Sequence, residues 1–328
     1  AGVDSLGAVE LRNQLQGTAG IASVPSTLVF DHPTARQIAS FFMPMEVVSA
    51  APGVSLPRAP STARQSMCVD GVSALLPAGA SSTRMASSMV ANGCNAVDEV
   101  PATRWDVHAQ LLLPWPVANR ARHAGFVHGA ELADNAAFAV SRAEVAAMDP
   151  CQRLLLERGY EALHDLAGGR TALRSSLTGV FLGFAGSDFG QLLAASPAGS
   201  SVYAATGSAA SVACGRLSYV LGLHGPCASY DTACSAALVA CHAGLRALQL
   251  GECGSGVIEA VTLMLTPDVG MSFAVAGMTS VRGRCHTFDT RADGYARGEA
   301  CGAVALRPAK EVVRLAIGGS AVRNDGRS

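Results

Sequence analysis

The feature that most constrains this chain is an alternation that begins near residue 67. Short apolar runs bounded by glycine recur: "TGVFLGFAG" (178–186), "GVIEAVTLML" (256–265), "GAVALRP" (302–308) and "RLAIGGSAV" (314–322). Runs of this length with glycine at their ends read as buried strands. Between them lie stretches with helical spacing, such as "SAALVACHAGLRALQLGE" (235–252). Strands alternating with helices predict an α/β layered domain.

Ahead of that domain the texture differs. In residues 1–43, "SLGAVELRNQL" places Ala8, Leu11 and Leu15 on one helical face. "PTARQIASFF" predicts a second helix, with Thr34 as its cap and Ile38, Phe41 and Phe42 on one face. Residues 44–66 carry Pro44, Pro52, Pro57 and Pro60 without a sustained period and read as a linker.

Bulk composition narrows the function classes. Of 328 residues 49% are hydrophobic and 15% charged, which suits large buried surfaces and argues against disorder. A net charge of −1 leaves no electrostatic footprint for nucleic acid. The 10 cysteines include no C-x-x-C, so a zinc ribbon is not expected, and scattered thiols fit a reducing compartment. No apolar run reaches the roughly 18 residues of a membrane span, and no secretory leader opens the chain.

One thiol stands out. "GPCASYDTACSAALVACHAGLRALQLGE" reads as strand, tight turn and helix, with Cys234 at the helix start. There the first amide N–H groups lack partners and the helix dipole is positive. Such a place favours a thiolate, and an N–H there can face an oxyanion. The small neighbours Ala233, Ser235 and Ala236 leave room for a thioester. A free cysteine also serves as an ordinary small hydrophobe, which is the reading for the other nine. His242 lies roughly 12 Å along the same helix by its rise, out of reach, so a packing or capping role is expected for it. His224 and His286 lie in loops. Asp289, Asp293 and Gly294 match part of a calcium loop, but Arg291 and Ala300 stand where ligands belong, so no metal is expected.

These residues carry a resemblance. "DTACSAALVACHAGLRALQLGEC" resembles the active-site segment of the β-ketoacyl synthase (ketosynthase) domains of modular polyketide synthases. So do "VPATRWDV", "MDPCQRLLLERGYEAL", "GSAASVACGRLSYVLGLHGP", "LMLTPDVGMSFAVAGM" and "GRCHTFDTRADGYARGEACGAVALRP", in the family's order. "MCVDGVSALLPAG" fits the family's opening strand loosely. The resemblance implies that Cys234 accepts an acyl chain as a thioester, after which a malonyl-type extender condenses with it by decarboxylative Claisen chemistry. It implies a thiolase-like αβαβα fold with an incomplete second half, and a homodimer formed through the ketosynthase. Two positions depart from the family: Ala236 stands where a second serine is usual, and Ala300 where glycine is usual.

"GVDSLGAVELRNQL", followed by "VPSTLVFDHPTARQIASFF", is similar to the C-terminal part of an acyl carrier protein, a partial all-α bundle. The resemblance implies a 4'-phosphopantetheine arm on Ser5, attached by a phosphopantetheinyl transferase, and a docking surface at Leu6, Val9 and Glu10. "DS" before an apolar run is also an ordinary helix cap. The organisation expected is carrier (1–43), linker (44–66) and ketosynthase (67–328), the last ending before the family's two catalytic histidine motifs and its lysine. His286 and Lys310 do not stand in those motifs. Partners implied are acyl and malonyl-type thioesters on carriers, with no nucleic acid and no membrane span. The location implied is intracellular and cytoplasmic, an organelle being left open. Three alternatives stand beside polyketide extension: a fatty acid synthase segment, a non-catalytic module that docks carriers and dimerises, and an unrelated α/β thiol enzyme.

Overall fold

The apolar runs that alternate with helical patterns do become strands of one sheet. The structure, a computed structural model, describes residues 11–17, 24, 28, 32, 34–42, 66–107, 114–309 and 315–324. Among these residues nine strands are formed: β1 (Met67–Leu75), β2 (Asp98–Glu99), β3 (His123–Gly125), β4 (Thr178–Gly183), β5 (Cys227–Tyr230), β6 (Ser255–Thr262), β7 (Arg297–Gly298), β8 (Ala300–Pro308) and β9 (Ala316–Ile317). Six helices have eight residues or more: α1 (Ala35–Phe42), α2 (Thr83–Ala91), α3 (Pro150–Ala167), α4 (Ala210–Leu221), α5 (Ala236–Leu250) and α6 (Asp268–Val275).

The main sheet has the order β5-β4-β6-β8-β1-β9. β5, β4 and β6 run parallel, while β8 is antiparallel to both β6 and β1. Strand alternation sorts the side chains onto two faces. Val180, Leu182, Val257, Val261, Cys301, Ala303 and Ala305 meet α3 and α4 in one core. Phe181, Ile258 and Leu306 meet α5 in another, through Ala240, Leu245, Ala247 and Leu248. The result is an α/β/α sandwich, the first three layers of the five that the resemblance implies. Of the run at 314–322, read as a full strand, the described residues form a two-residue strand, Ala316–Ile317, opposite Cys68 and Met67, with the Val69 N–H donating to the Leu315 carbonyl at 3.1 Å.

Local sequence fixes the ends of the long helix α3. Asp149 caps it, its carboxylate accepting from the Cys151 N–H at 2.7 Å, with Pro150 in the first turn. Gly168 ends it in the left-handed region at φ 71°. Between these caps, Gly159 lets α3 settle onto β6: a Cβ there would lie 2.0 Å from Glu259 Oε1 and 2.6 Å from Leu217 Cδ2.

By length and composition alone, the 18-residue stretch Ala233–Leu250 is apolar enough to cross a membrane. Its apolarity has another explanation: one face of α5 packs on Phe181 and Ile258 of the sheet. Of the N-terminal unit, Leu11 and Leu15 pack against Val24, Leu28 and Ile38. Thr34 caps α1 as expected, in a reciprocal box: Gln37 N–H donates to Thr34 Oγ1 at 3.2 Å, and Thr34 N–H to Gln37 Oε1 at 3.1 Å. Phe41 departs from its assigned face. It is exposed, with its ring 5.2 Å from that of His32. Ala8, Ser5, the docking residues Leu6, Val9 and Glu10, and residues 44–65 of the linker lie outside the described residues.

Two buried carboxyls sit in this frame in opposite circumstances. Glu299, 1% exposed, has four donors: Arg104 Nε and Nη2, the Val127 N–H at 2.9 Å and the Met264 N–H at 2.9 Å. It ties the small β2-β3-β7 sheet to the loop after β6. Glu259, also 1% exposed, has neither oxygen hydrogen-bonded, and burial pushes its carboxyl well above the ordinary carboxylate range.

Two predictions follow from these environments. Arg104→Ala strands a buried carboxylate and is expected to cost on the order of 3–5 kcal/mol in urea unfolding. For Glu259 the folded state holds the proton more tightly than the unfolded chain. Its stabilising share is therefore complete below the unfolded carboxyl range and lost as pH rises. The melting temperature should fall as pH rises above the ordinary carboxyl range, and Glu259→Gln should flatten that slope.

Candidate active site

Three loops leave the carboxyl ends of β4, β5 and β6 at the same edge of the sheet, where open α/β sheets place their ligands. The loop after β5 carries Cys234. It folds as a one-turn 3-10 helix, Ala233–Ser235, that runs directly into α5. The strand–turn–helix reading of this segment therefore holds, with Cys234 one turn ahead of the α-helix proper.

The turn is held by its own short side chains. The Asp231 carboxylate accepts from the Ala233 N–H at 3.1 Å. Ser235 Oγ donates to the Thr232 carbonyl at 2.8 Å and lies 2.9 Å from Thr232 Oγ1. Ala233 takes φ 52°, a left-handed conformation that costs a non-glycine residue energy and recurs at functional sites. No side chain caps α5; the Ala236 N–H is instead taken by the Ala233 carbonyl of the preceding 3-10 turn. Cys234 itself is exposed.

For Ala236 the reason for a small residue is backbone contact. A Cβ on Gly183, the last residue of β4, would lie 2.5 Å from Ala237 N and 2.6 Å from Ala236 C. The start of α5 rests on the strand itself, and Ala236 is 5% exposed. The second departure is also accommodated. Ala300 lies in β8 opposite Thr262, in extended backbone that any residue adopts.

The flanking loops are fixed to each other. Asp188, after β4, accepts through Oδ2 from the Leu265 N–H at 3.1 Å and from Thr266 N–H at 2.7 Å and Oγ1 at 3.1 Å. Tyr295, which sequence reasoning left unassigned, lies within electrostatic range of Cys234. Burial raises its phenol first; Arg297 opposes this, and the Cys234 charge adds to it. Arg297 stacks over Phe273 of α6 at 5.3 Å. No local signal in "DGYARGEA" announces that tyrosine, because the link crosses from β7's approach to the start of α5.

The histidines stay apart. His242 Nδ1 lies 2.8 Å from Ser320 Oγ, tying α5 to the chain near β9. His224 precedes β5, at the opposite end of the strand from Cys234, its N–H bonded to the Ser176 carbonyl at 2.8 Å. His286 sits in the 281–294 loop. Among the described residues no histidine hydrogen-bonds Cys234. Asp289 is paired with Arg291 at 2.7 Å, which holds its carboxyl down to about 2. Among the described residues no group of three or more His, Cys, Asp or Glu could hold a metal.

Comparison with known proteins decides the family. Residues 65–312 match the family described as "Beta-ketoacyl synthase, N-terminal domain", and residues 1–42 that described as "Phosphopantetheine attachment site". The chain belongs to the β-ketoacyl synthase family. The ketosynthase match takes in β1 through β8 and the turn of Cys234; the second match takes in α1. The whole chain is 39% identical to polyketide synthase GfsB of Streptomyces halstedii, covering 6% of that protein. It is 38% identical to the pikromycin polyketide synthase component PikAII of Streptomyces venezuelae, covering 9%. The chain thus spans a small part of the length of these relatives. Among solved structures, the ketosynthase from module 6 of the bacillaene synthase of Bacillus subtilis superposes with a TM-score of 0.68 at 31% identity, over 75% of this chain and 40% of that one. The oxazolomycin ketosynthase domain OzmH KS7 of Streptomyces albus gives 0.67 at 30%, over 74% and 43%.

The seat at Gly183 gives a test of this ketosynthase geometry. Gly183→Ala pushes the first turn of α5 off β4. It should cost about 1–3 kcal/mol and slow alkylation of Cys234 by iodoacetamide, read by intact mass against time.

Proposed function

We propose that this ketosynthase extends polyketide chains by decarboxylative Claisen condensation, with Cys234 as the acyl-accepting nucleophile. The observation that carries the proposal is the exposed Cys234 on a strained turn, between the carboxyl end of β5 and the uncapped start of α5. The Cys234 sulfur attacks the carbonyl of a carrier-bound acyl thioester, the carrier thiol leaves, and the acyl group rests on the enzyme. N–H groups of the first turn are suited to the oxyanion that forms on the way. Loss of CO₂ from a malonyl-type extender then supplies the carbanion that attacks the acyl-Cys. Those later steps call for acid–base and charge-stabilising groups besides Cys234.

The organisation that supports this reading is carrier (1–43), linker (44–66) and ketosynthase (67–328). Ser5 is the attachment point for 4'-phosphopantetheine, supplied by a phosphopantetheinyl transferase. The arm delivers acyl groups as thioesters; the chain's own part is to supply the serine hydroxyl. The partners are acyl and malonyl-type thioesters on carriers and, for the ketosynthase, a second copy of itself. All ten cysteines are free, which suits the reducing interior of a cell.

The test is intact-mass spectrometry after incubation with a short acyl-pantetheine thioester. One acyl increment is expected, lost in Cys234→Ala. With coenzyme A and a transferase, one phosphopantetheine increment is expected, lost in Ser5→Ala. Acylation that persists in Cys234→Ala would refute the nucleophile; loading that persists in Ser5→Ala would refute the attachment site.

A further inference from the structure

Between the small β2-β3-β7 sheet and α6 lies a cleft of about 330 Å³, its open mouth included. One wall is apolar: Val100, Ala124 and Met264 belong to the cluster around Phe126, and Pro267 lies beside them. The polar lining is Trp105, Arg120, His123 and Arg297, and among the described residues no carboxylate lines the cleft. Each of the four has donor capacity to spare. Trp105 Nε1 and His123 Nδ1 are buried without a hydrogen-bond partner. Arg297 lies over the Phe273 ring at 5.3 Å, and among the described residues no hydrogen bond or ion pair engages its guanidinium. Arg120 uses one nitrogen, Nη1, for the carbonyls of Gly277, Thr279 and Asp293, which leaves Nε and Nη2 without an acceptor among the described residues. Burial opposes the charge of both arginines; Tyr295, Asp188 and Glu299 offset this at Arg297, and Asp293 at Arg120, without lining the cleft.

We propose that this cleft binds a short-chain organic carboxylate. Guanidinium forks match the two oxygens of a carboxylate, and the indole N–H adds a donor of fixed direction. His123 Nδ1 joins them in the tautomer that carries its proton there. The apolar wall takes the carbon stem, which a bare inorganic anion lacks. Buried donors left unpaired cost a fold stability, and one anion meets several of them at once. The occupant also bridges elements that are otherwise separate. Arg297 opens β7, His123 opens β3, Arg120 ends the short helix Val117–Arg120, and Gly270 lies in α6. A bound carboxylate therefore holds the small sheet against α6. The binding is reversible, with no covalent step, and does not rest on the role of Cys234.

Trp105 supplies the readout, because the chain has 2 tryptophans and Trp115→Phe leaves Trp105 as the sole one. The full chain carrying Trp115→Phe is titrated with sodium propionate, the ionic strength being held constant with sodium chloride. A saturable change in fluorescence is expected, absent with chloride alone. Acetate should bind about fourfold more weakly than propionate, the worth of one methylene group. Arg297→Gln should weaken propionate about tenfold or more, the loss of a charge-assisted hydrogen bond. Gly270→Ala should weaken it as well, since a Cβ there would lie 3.0 Å from Arg297 Nη1; alanine favours the helix, so α6 is kept. Circular dichroism checks the fold of both variants. Arg246→Gln, on the exposed face of α5, should leave the affinity unchanged. A response that does not saturate, or that is matched by chloride, overturns the proposal. So does undiminished affinity in Arg297→Gln, or inorganic phosphate binding more tightly than propionate.

Discussion

The site depends on one contact: the first turn of α5 lying on the backbone of β4 at Gly183. Helices usually stand off a sheet by the length of their side chains. Here no side chain intervenes on either partner, since glycine meets Ala236 and Ala237. The turn that joins β5 to α5 is thereby drawn tight over the carboxyl edge of the sheet. Ala233 takes a left-handed φ to close it, and Asp231, Thr232 and Ser235 satisfy its polar groups. A larger residue at 183 or 236 would lift the helix and move Cys234 with it. At Ala236 the small side chain beside the thiol is a packing requirement before it is a chemical one.

A second constraint joins the site to its surroundings. β7 and the start of β8 bring Tyr295, Arg297 and Glu299 along one short stretch. Glu299 is held by Arg104 and by two backbone N–H groups, so its charge is met on all sides. Met264, one of those donors, starts the loop that Asp188 holds from β4. The loops after β4 and β6 and the small sheet are thus connected through two carboxylates, and Tyr295 is delivered toward Cys234 as part of that assembly. Glu259 has none of these partners. It occupies the same face of β6 as Val257 and Val261, where an apolar side chain would serve α3 and α4 better.

Much of this was legible in the sequence, for identifiable reasons. Strands buried on both faces are short apolar runs, and α5 has an unbroken helical period, so both announced themselves. The strand–turn–helix around Cys234 follows from Pro226, the small residues and the helix that follows. What escaped was set by contacts distant in sequence. β9 shrinks to two residues because its pairing with β1, not its apolarity, limits it. Phe41 reads as a core residue by spacing, yet it is exposed, with its ring beside that of His32. Glu259 carries no mark of full burial, and Tyr295 carries none of its proximity to Cys234.

The cysteines show most plainly why residue type alone was not enough. In the chain they are ten similar thiols; in the fold their surroundings separate them. Cys151 and Cys301 are buried, and desolvation pushes both thiols well up, leaving them inert packing groups. Cys234 is exposed, and what distinguishes it is position, at the start of a helix that no side chain caps. Nucleophilic character in this protein is therefore assigned by where the backbone ends each helix and strand, and the glycine at the end of β4 decides that for the sulfur that matters most.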